Sequence, residues 1–261
     1  MRYLPNEVKN KLNRNKSTFG SWINMPSLVS VEIMARSGFE FLVIDGEHSC
    51  ITSQTMQSMV MVMEGYGVFP FIRVEENNAV PIKKALDTGC YGVIIPMINN
   101  KHDLMKAIDS VYYYPKGKRG VGLSRAQGYG LEFERYKKWY RKNISVIAQI
   151  EHIEAINNLD EILSSKEIDA TIIGPYDLSA SVGYPGDFNR KEVKNALANY
   201  EKVSRKYKKP TGYHIVHPDE AELKQKIRKN YKFLVYGIDE IFLAKGCSEA
   251  GGRINKLKAQ S

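Results

Sequence analysis

Four consecutive residues, Asp45-Gly46-Glu47-His48, put two carboxylates and an imidazole in close succession. An imidazole held by a carboxylate is suited to general-base work, because the partner fixes its tautomer and raises its basicity. Arg73 suggests a complementary task. Its guanidinium stays charged, so at a buried position it must face an anion, either a paired carboxylate or a reaction intermediate such as an enolate. Glu151 and Asp177 offer two hard oxygen donors, which suit a divalent cation such as Mg²⁺ or Mn²⁺. The competing arrangement has one of these acids paired with Arg73, and Asp177 capping the helical turn that begins Leu178-Ser179.

Other motifs are weaker. His102 and His217 look like surface residues, His152 adjoins Glu151 but should point away, and His214 falls near the end of an apolar run. Imine chemistry needs a lysine at the site, yet none of the chemistry-bearing runs ends in lysine, and Lys245 lies inside a helical pattern. The run Gly117-Lys118-Arg119-Gly120-Val121-Gly122 lacks the Lys-Ser/Thr of a phosphate loop and does not lead from a strand into a helix. A mobile loop carrying Arg119 and Arg125 near the site, or at a subunit contact, is the expectation instead.

These residues need elements to position them. Short β-rich runs at 18–23, 39–44, 69–74, 92–96, 145–150, 170–173, 211–216 and 233–236 alternate with stretches of helical period. The helical stretches are 27–36, 52–64, 80–88, 101–112, 153–164, 191–207, 219–229 and 239–258. Eight strand–helix repeats in one chain of this length predict a single-domain (β/α)8 TIM barrel. A doubly wound open sheet is the alternative and usually needs fewer repeats. The strands are nearly continuous apolar runs, as parallel strands covered on both faces must be. In such a barrel, groups at the C-terminal strand ends do the chemistry. Asp45–His48 then follow the second strand, Arg73 ends the third, Gln149-Ile150-Glu151 end the fifth, and Gly174-Pro175-Tyr176-Asp177 follow the sixth. The segment 113–143, rich in Gly, Tyr and Arg, is an insertion too long for a plain connection.

Composition narrows the class. The chain has 261 residues, 43% hydrophobic and 26% charged, enough for a full core. No run is long and apolar enough for a membrane span, and the polar N-terminus does not read as a signal peptide. The net charge of +9 is spread among acids, which favours a solvated surface attractive to anionic substrates over a nucleic-acid footprint. Three separated cysteines, Cys50, Cys90 and Cys247, suit a reducing cytoplasm and are expected to serve as packing residues.

Several segments together, FEFLVIDGEHS, PFIRVEENNAVPIKKALDTGCYGVIIPMI, PKGKRGVGLSRAQGYG, AQIEHIEAINNLDEIL and IDATIIGPYDLSASVGYPG, resemble the HpcH/HpaI family of class II pyruvate aldolases. The resemblance runs in order from about residue 39 to 186. It implies a carbon–carbon lyase that cleaves a 4-hydroxy-2-oxo acid to pyruvate and an aldehyde through a metal-stabilised enolate. It further implies that Glu151 and Asp177 hold Mg²⁺, Mn²⁺ or Co²⁺, that His48 supported by Asp45 is the base, and that Arg73 stabilises the enolate. Gln149 and the backbone around Gly174, Pro175 and Asp177 would bind pyruvate, with Glu47 and Asp87 in support. Family members resemble hexamers, trimers of dimers with exchanged C-terminal helices, in which Asp87 can act across a subunit boundary. The sequence departs from the family pattern at Cys90, Tyr91 and His214; the last lies where relatives shape the aldehyde pocket.

Two rival expectations remain. One keeps the barrel but acts on an acyl-CoA, as citrate-lyase relatives do, or decarboxylates oxaloacetate. The other is a non-catalytic binding barrel, against which the coexistence of His48, Arg73, Glu151 and Asp177 speaks.

Overall fold

The computed structural model describes residues 3–260. In chain order the elements are α1 (Glu7–Asn13), β1 (Thr18–Ile23), α2 (Leu28–Ala35), β2 (Phe41–Asp45), α3 (Ser53–Tyr66), β3 (Phe69–Arg73), α4 (Ala79–Asp87), β4 (Gly92–Ile95) and α5 (Lys101–Val111). There follow α6 (Phe133–Asn143), β5 (Ser145–Ile150), α7 (Ile153–Asn157), α8 (Leu159–Leu163), β6 (Ala170–Ile173), α9 (Pro175–Ser181) and α10 (Lys191–Tyr207). The chain ends with β7 (Thr211–Ile215), α11 (Glu220–Arg228), β8 (Phe233–Ile238) and α12 (Asp239–Lys258). The eight strands pair in sequence order, all parallel, and β8 closes on β1. This is the (β/α)8 barrel expected from the repeats.

Two apolar layers hold it. Inside the barrel, the rings of Phe41, Phe71 and Phe233 pack on one another, with centroids 4.4–5.6 Å apart. Gly92 is required here, because a Cβ at that position would stand 2.2 Å from the Phe71 ring. Val8 and Leu12 of α1 join this inner cluster, so the polar-looking N-terminal stretch ends as a short helix that plugs the barrel. Outside, the strands' other faces and the helices form the larger core.

Element ends differ from the sequence expectation in ways that matter. Strand β8 extends to Ile238, and the helical stretch 153–164 divides at Asn158, whose amide donates to the Asn99 carbonyl. The short helix α9 starts at Pro175, ahead of the turn at Leu178-Ser179 weighed from the sequence, so Asp177 lies within its first turn rather than capping it. Segment 113–143 is packed rather than a free loop. Tyr113, Tyr136, Trp139 and Tyr140 pack on one another, the Arg119 guanidinium lies over the Tyr113 and Tyr136 rings, and Arg125 is buried as well. Arg119 donates to Asp87 (2.7 Å) and Tyr136, while Arg125 pairs with Glu64 and donates to the Thr88 carbonyl. Of the two expectations for this loop, that of mobile arginines near the site is therefore corrected: buried guanidiniums need fixed partners, which Asp87 and Tyr136 supply to Arg119 and Glu64 and Thr88 to Arg125. Of the cysteines, Cys90 is buried, but Cys50 and Cys247 are exposed and do no packing. Among the described residues, no helix is long and apolar enough to cross a membrane.

Candidate active site

Parallel register brings the second and third strand ends together. Asp45 lies directly opposite Arg73, and the pair is bidentate: Nε donates to Oδ1 (2.9 Å) and Nη2 to Oδ2 (2.6 Å). Nη1 lies 2.9 Å from Glu47 Oε2. Burial alone would raise the Asp45 carboxyl, but the Arg73 hydrogen bonds and charge outweigh it and hold it below the usual carboxylate range. Both residues are buried. The bonds to Asp45 occupy two of the guanidinium's five N–H groups, so donors remain for a ligand oxygen.

This pairing changes the expected role of Asp45. Its carboxylate accepts from the backbone N–H groups of Glu47 (2.9 Å) and His48 (3.2 Å), so it shapes the loop that carries His48 rather than gripping the imidazole. The expected Asp45–His48 side-chain dyad is absent because the register delivers Arg73 to that carboxylate first. His48 itself is exposed at the rim.

His48, Asp45, Arg73, Gln149, Gly174, Pro175 and Asp177 all border one cavity of ≈220 Å³ at the C-terminal end of the barrel. Glu151 and Glu47 do not line it but contact two residues that do, Gln149 and Arg73 respectively. Glu151 Oε1 accepts from the Met97 N–H (2.7 Å), and Oε2 accepts from Gln149 Nε2. Met97 adopts a positive φ of 54°, a costly conformation for a side-chain-bearing residue, and this bond helps to hold it. Asp87 lies elsewhere. It closes α4 on the outside of the barrel, where Arg119 and Gln127 hold its carboxylate, and it does not border the cavity. Lys245 is exposed on α12, and among the described residues no lysine lines the cavity.

The donor set can be tested for a cation. Among the described residues, no three His, Cys, Asp or Glu side chains already stand at metal-ligand spacing. Three observations nonetheless fit a hard ion. Gly174 leaves a space that a Cβ would fill, 3.1 Å from Glu151 Oε2 and 3.7 Å from Asp177 Oδ2, so both carboxylates face one small volume. Glu47 Oε2 is buried without a hydrogen bond, despite its ionic contact with Arg73. Burial, together with Glu151, Asp45 and Asp177, pushes the Glu47 carboxyl up to about 7 against the pull of Arg73, and burial also raises Glu151. Clustered acids short of positive charge are what a divalent cation relieves.

The Glu47 shift has a consequence for stability. Between pH 4.5 and about 7 the folded protein holds a proton that the unfolded chain has released, so this group's contribution falls as pH rises through that window. The metal-free protein is therefore expected to melt at lower temperature at pH 7.5 than at pH 5.5, and Glu47→Gln should flatten the difference. Thermal unfolding of both proteins across this range checks it; an equal slope in the variant would remove Glu47 as the cause.

The sequence reading missed the wall formed by β1. The Trp22 ring lies 4.9 Å from the Arg73 guanidinium and is stacked with His214, centroids 4.7 Å apart. Asn24 lines the same wall. The aromatic at a barrel strand end was the available signal. Burial and Arg73 push the His214 imidazole down to about 4, so it is neutral near pH 7.

Comparison with known proteins identifies the family. The HpcH/HpaI aldolase/citrate lyase family profile matches residues 18–245. A 5-keto-4-deoxy-D-glucarate aldolase of Enterobacter sp. (strain 638) is 33% identical over 237 residues, covering 90% of this chain and 91% of the relative. An HpcH/HpaI aldolase/citrate lyase family structure from Burkholderia cenocepacia superposes with a TM-score of 0.90 at 24% identity, covering 96% of this chain and 99% of the other. An HpcH/HpaI aldolase from Desulfitobacterium hafniense gives 0.85, also at 24% identity, with 94% and 95% covered; both structures speak to the fold. On the profile match and the identity to a named aldolase over nine-tenths of its length, the chain belongs to the HpcH/HpaI aldolase/citrate lyase family and is a carbon–carbon lyase of the class II aldolase type.

Proposed function

We propose that the protein reversibly cleaves a 4-hydroxy-2-oxo acid into pyruvate and an aldehyde, using a divalent cation held by Glu151 and Asp177 with Glu47 nearby. The observation that carries this reading is the space beside Gly174, shared by two carboxylates and opening on the cavity that Arg73 borders. A bound cation there would act as a Lewis acid at the 2-keto oxygen. Gln149 and the first turn of α9, whose N–H groups have no intrahelical acceptor, orient the pyruvate carboxylate. His48 at the rim accepts the proton of the C4 hydroxyl. The C3–C4 bond then breaks, its electron pair passes into the enolate, and the aldehyde departs. Arg73 lies against the developing negative charge, and protonation at C3 yields pyruvate. The cavity is small and Arg73 is its only cation among the described residues, which favours a short keto acid over an acyl-CoA.

Exchange of the pyruvate methyl protons with D₂O, followed by NMR, tests this reading. Catalysed exchange that requires added Mg²⁺, Mn²⁺ or Co²⁺ is expected. A non-catalytic barrel would leave the methyl signal intact.

We also propose a homo-oligomer, with the hexamer of the family resemblance as the expected form. Beyond Phe242, α12 is almost wholly exposed, yet Leu243, Cys247, Ala250, Ile254 and Leu257 recur at alternating spacings of four and three. Such a stripe seeks a partner. Leu28, Val29 and Ile33 of α2 present a matching apolar face, from 44% to 67% exposed. Replacing Ile254 and Leu257 together by Glu is expected to dissociate the assembly in light scattering; an unchanged mass would exclude α12 from the interface.

A further inference from the structure

At the end of the barrel opposite the active site, a cavity of ≈350 Å³ lies beneath the starts of β7 and β8. It is larger than the ≈220 Å³ cavity at the mouth. The ends of three helices meet around it: Asn15 follows α1, Ser204 and Lys208 close α10, and Asn230 follows α11. Among the described residues, five cationic side chains, Arg205, Lys208, Lys209, Lys229 and Lys232, line it with one carboxylate, Glu201. That carboxylate is taken: Lys229 lies 3.0 Å from it, and the Tyr231 hydroxyl donates to it. Lys209 Nζ donates to the carbonyls of Ser165 and Ile168. Arg205, Lys208 and Lys232 pair with no carboxylate among the described residues. Ser204 also lines the cavity; it is 2% exposed, and its hydroxyl oxygen has no hydrogen-bond partner. A buried hydroxyl without a partner is costly, and a ligand oxygen would satisfy it. Cations are ordinary at helix C-termini, where they meet the negative end of the dipole. Here that account falls short. Each helix end supplies about half an elementary charge, so three of them leave roughly two to three of the four excess positive charges unanswered.

We propose that this cavity is a second binding site, for a small molecule that carries two phosphoryl groups, a diphosphate or a bisphosphate. The site is independent of the cleavage reading. A phosphoryl group brings roughly 1.5 to 2 negative charges near pH 7, so one leaves part of the excess standing and two cancel it. The ammonium groups of Lys208 and Lys232 act as point charges toward phosphate oxygens, and the Arg205 guanidinium can take two oxygens at once. Ser204 and the carboxamides of Asn15 and Asn230 add neutral donors. Lys208 holds a φ of 51°, where glycine is the usual helix cap, so its side chain is kept at a conformational cost. Leu12, part of the inner apolar cluster, borders the same cavity. A ligand here therefore touches the α1 plug, the end of α10 and the turn into β8 together, and fastens the plug to the barrel.

Titration calorimetry of the full chain with inorganic pyrophosphate is the test, at fixed ionic strength and without added divalent cation, which pyrophosphate would sequester. One molecule is expected to bind per chain, about 10-fold or more tightly than orthophosphate or citrate, as one further charge-assisted contact allows. The melting temperature should rise with pyrophosphate concentration by mass action. The decisive variants are Lys208→Gly and Lys232→Met. Glycine suits the left-handed cap, so Lys208→Gly removes the ammonium without straining the fold. Each variant is expected to lose about 10-fold or more in affinity, the usual loss for one charge-assisted hydrogen bond, and Ser204→Ala a smaller amount. Circular dichroism establishes that each is folded, and pyruvate methyl exchange should match that of the wild type. Absence of pyrophosphate binding to the wild type overturns the proposal. So does binding that persists unchanged in both folded lysine variants, which would put the anion at the Arg73 mouth instead. Citrate bound as tightly as pyrophosphate would overturn the assignment to phosphoryl groups.

Discussion

Replacing Arg73 by Ala is expected to lower turnover by about 10²–10³-fold or more, the loss usual when one preorganised donor to an oxyanion is removed. The structure adds a second effect. Arg73 is the bidentate partner of buried Asp45 and the ionic neighbour of Glu47. Its removal strands two carboxylates in a site where charge is already short of compensation, and breaking a buried pair in this way costs about 3–5 kcal/mol. Activity and stability should therefore fall together, and denaturant unfolding must accompany the kinetics. Arg73→Lys separates the two effects. Its ammonium keeps the charge that Asp45 needs but cannot span both carboxylate oxygens and still present a planar donor to the ligand. Stability is expected to recover in part, and turnover to stay low. Near-normal turnover in folded Arg73→Ala would end the assignment of enolate stabilisation to this residue.

Removal of divalent cations is expected to have the other large effect. Prolonged chelation should abolish both cleavage and methyl exchange, and Mg²⁺, Mn²⁺ or Co²⁺ should restore them. Glu151→Gln and Asp177→Asn should each weaken cation binding, measured by calorimetry, because each withdraws one hard anionic donor from the volume beside Gly174. The binding should also weaken as pH falls, since Glu47 and Glu151 must ionise to serve a cation and both are raised by burial. With no lysine lining the cavity among the described residues, borohydride and pyruvate should leave the protein's mass unchanged. Full activity after exhaustive chelation, or a reduced pyruvate adduct, would point to imine chemistry instead.

Much of this site was legible in the order of residues. Periodicity alone separates eight apolar runs from the helices between them, because strands buried on both faces and amphipathic helices leave different spacings. A parallel barrel then places every strand end at one mouth, so Asp45, Arg73, Gln149, Glu151 and Asp177 could be assembled before any coordinates. What spacing could not supply is partnership across the mouth. Opposing Asp45 to Arg73 is a matter of interstrand register, and it turns an expected His–Asp dyad into an arginine–carboxylate pair with His48 left at the rim. Burial of Arg119 likewise depends on an aromatic cluster gathered from Tyr113 through Tyr140, which no local pattern reveals. The contacts of Trp22 with Arg73 and His214 join β1, β3 and β7, distant in sequence and brought together only through closure of the sheet. The sequence by itself determined the architecture and the inventory of reactive groups, because both follow from local chemistry and repeat. Which of those groups touch was decided by the tertiary structure, because register and barrel closure set distances between residues far apart along the chain.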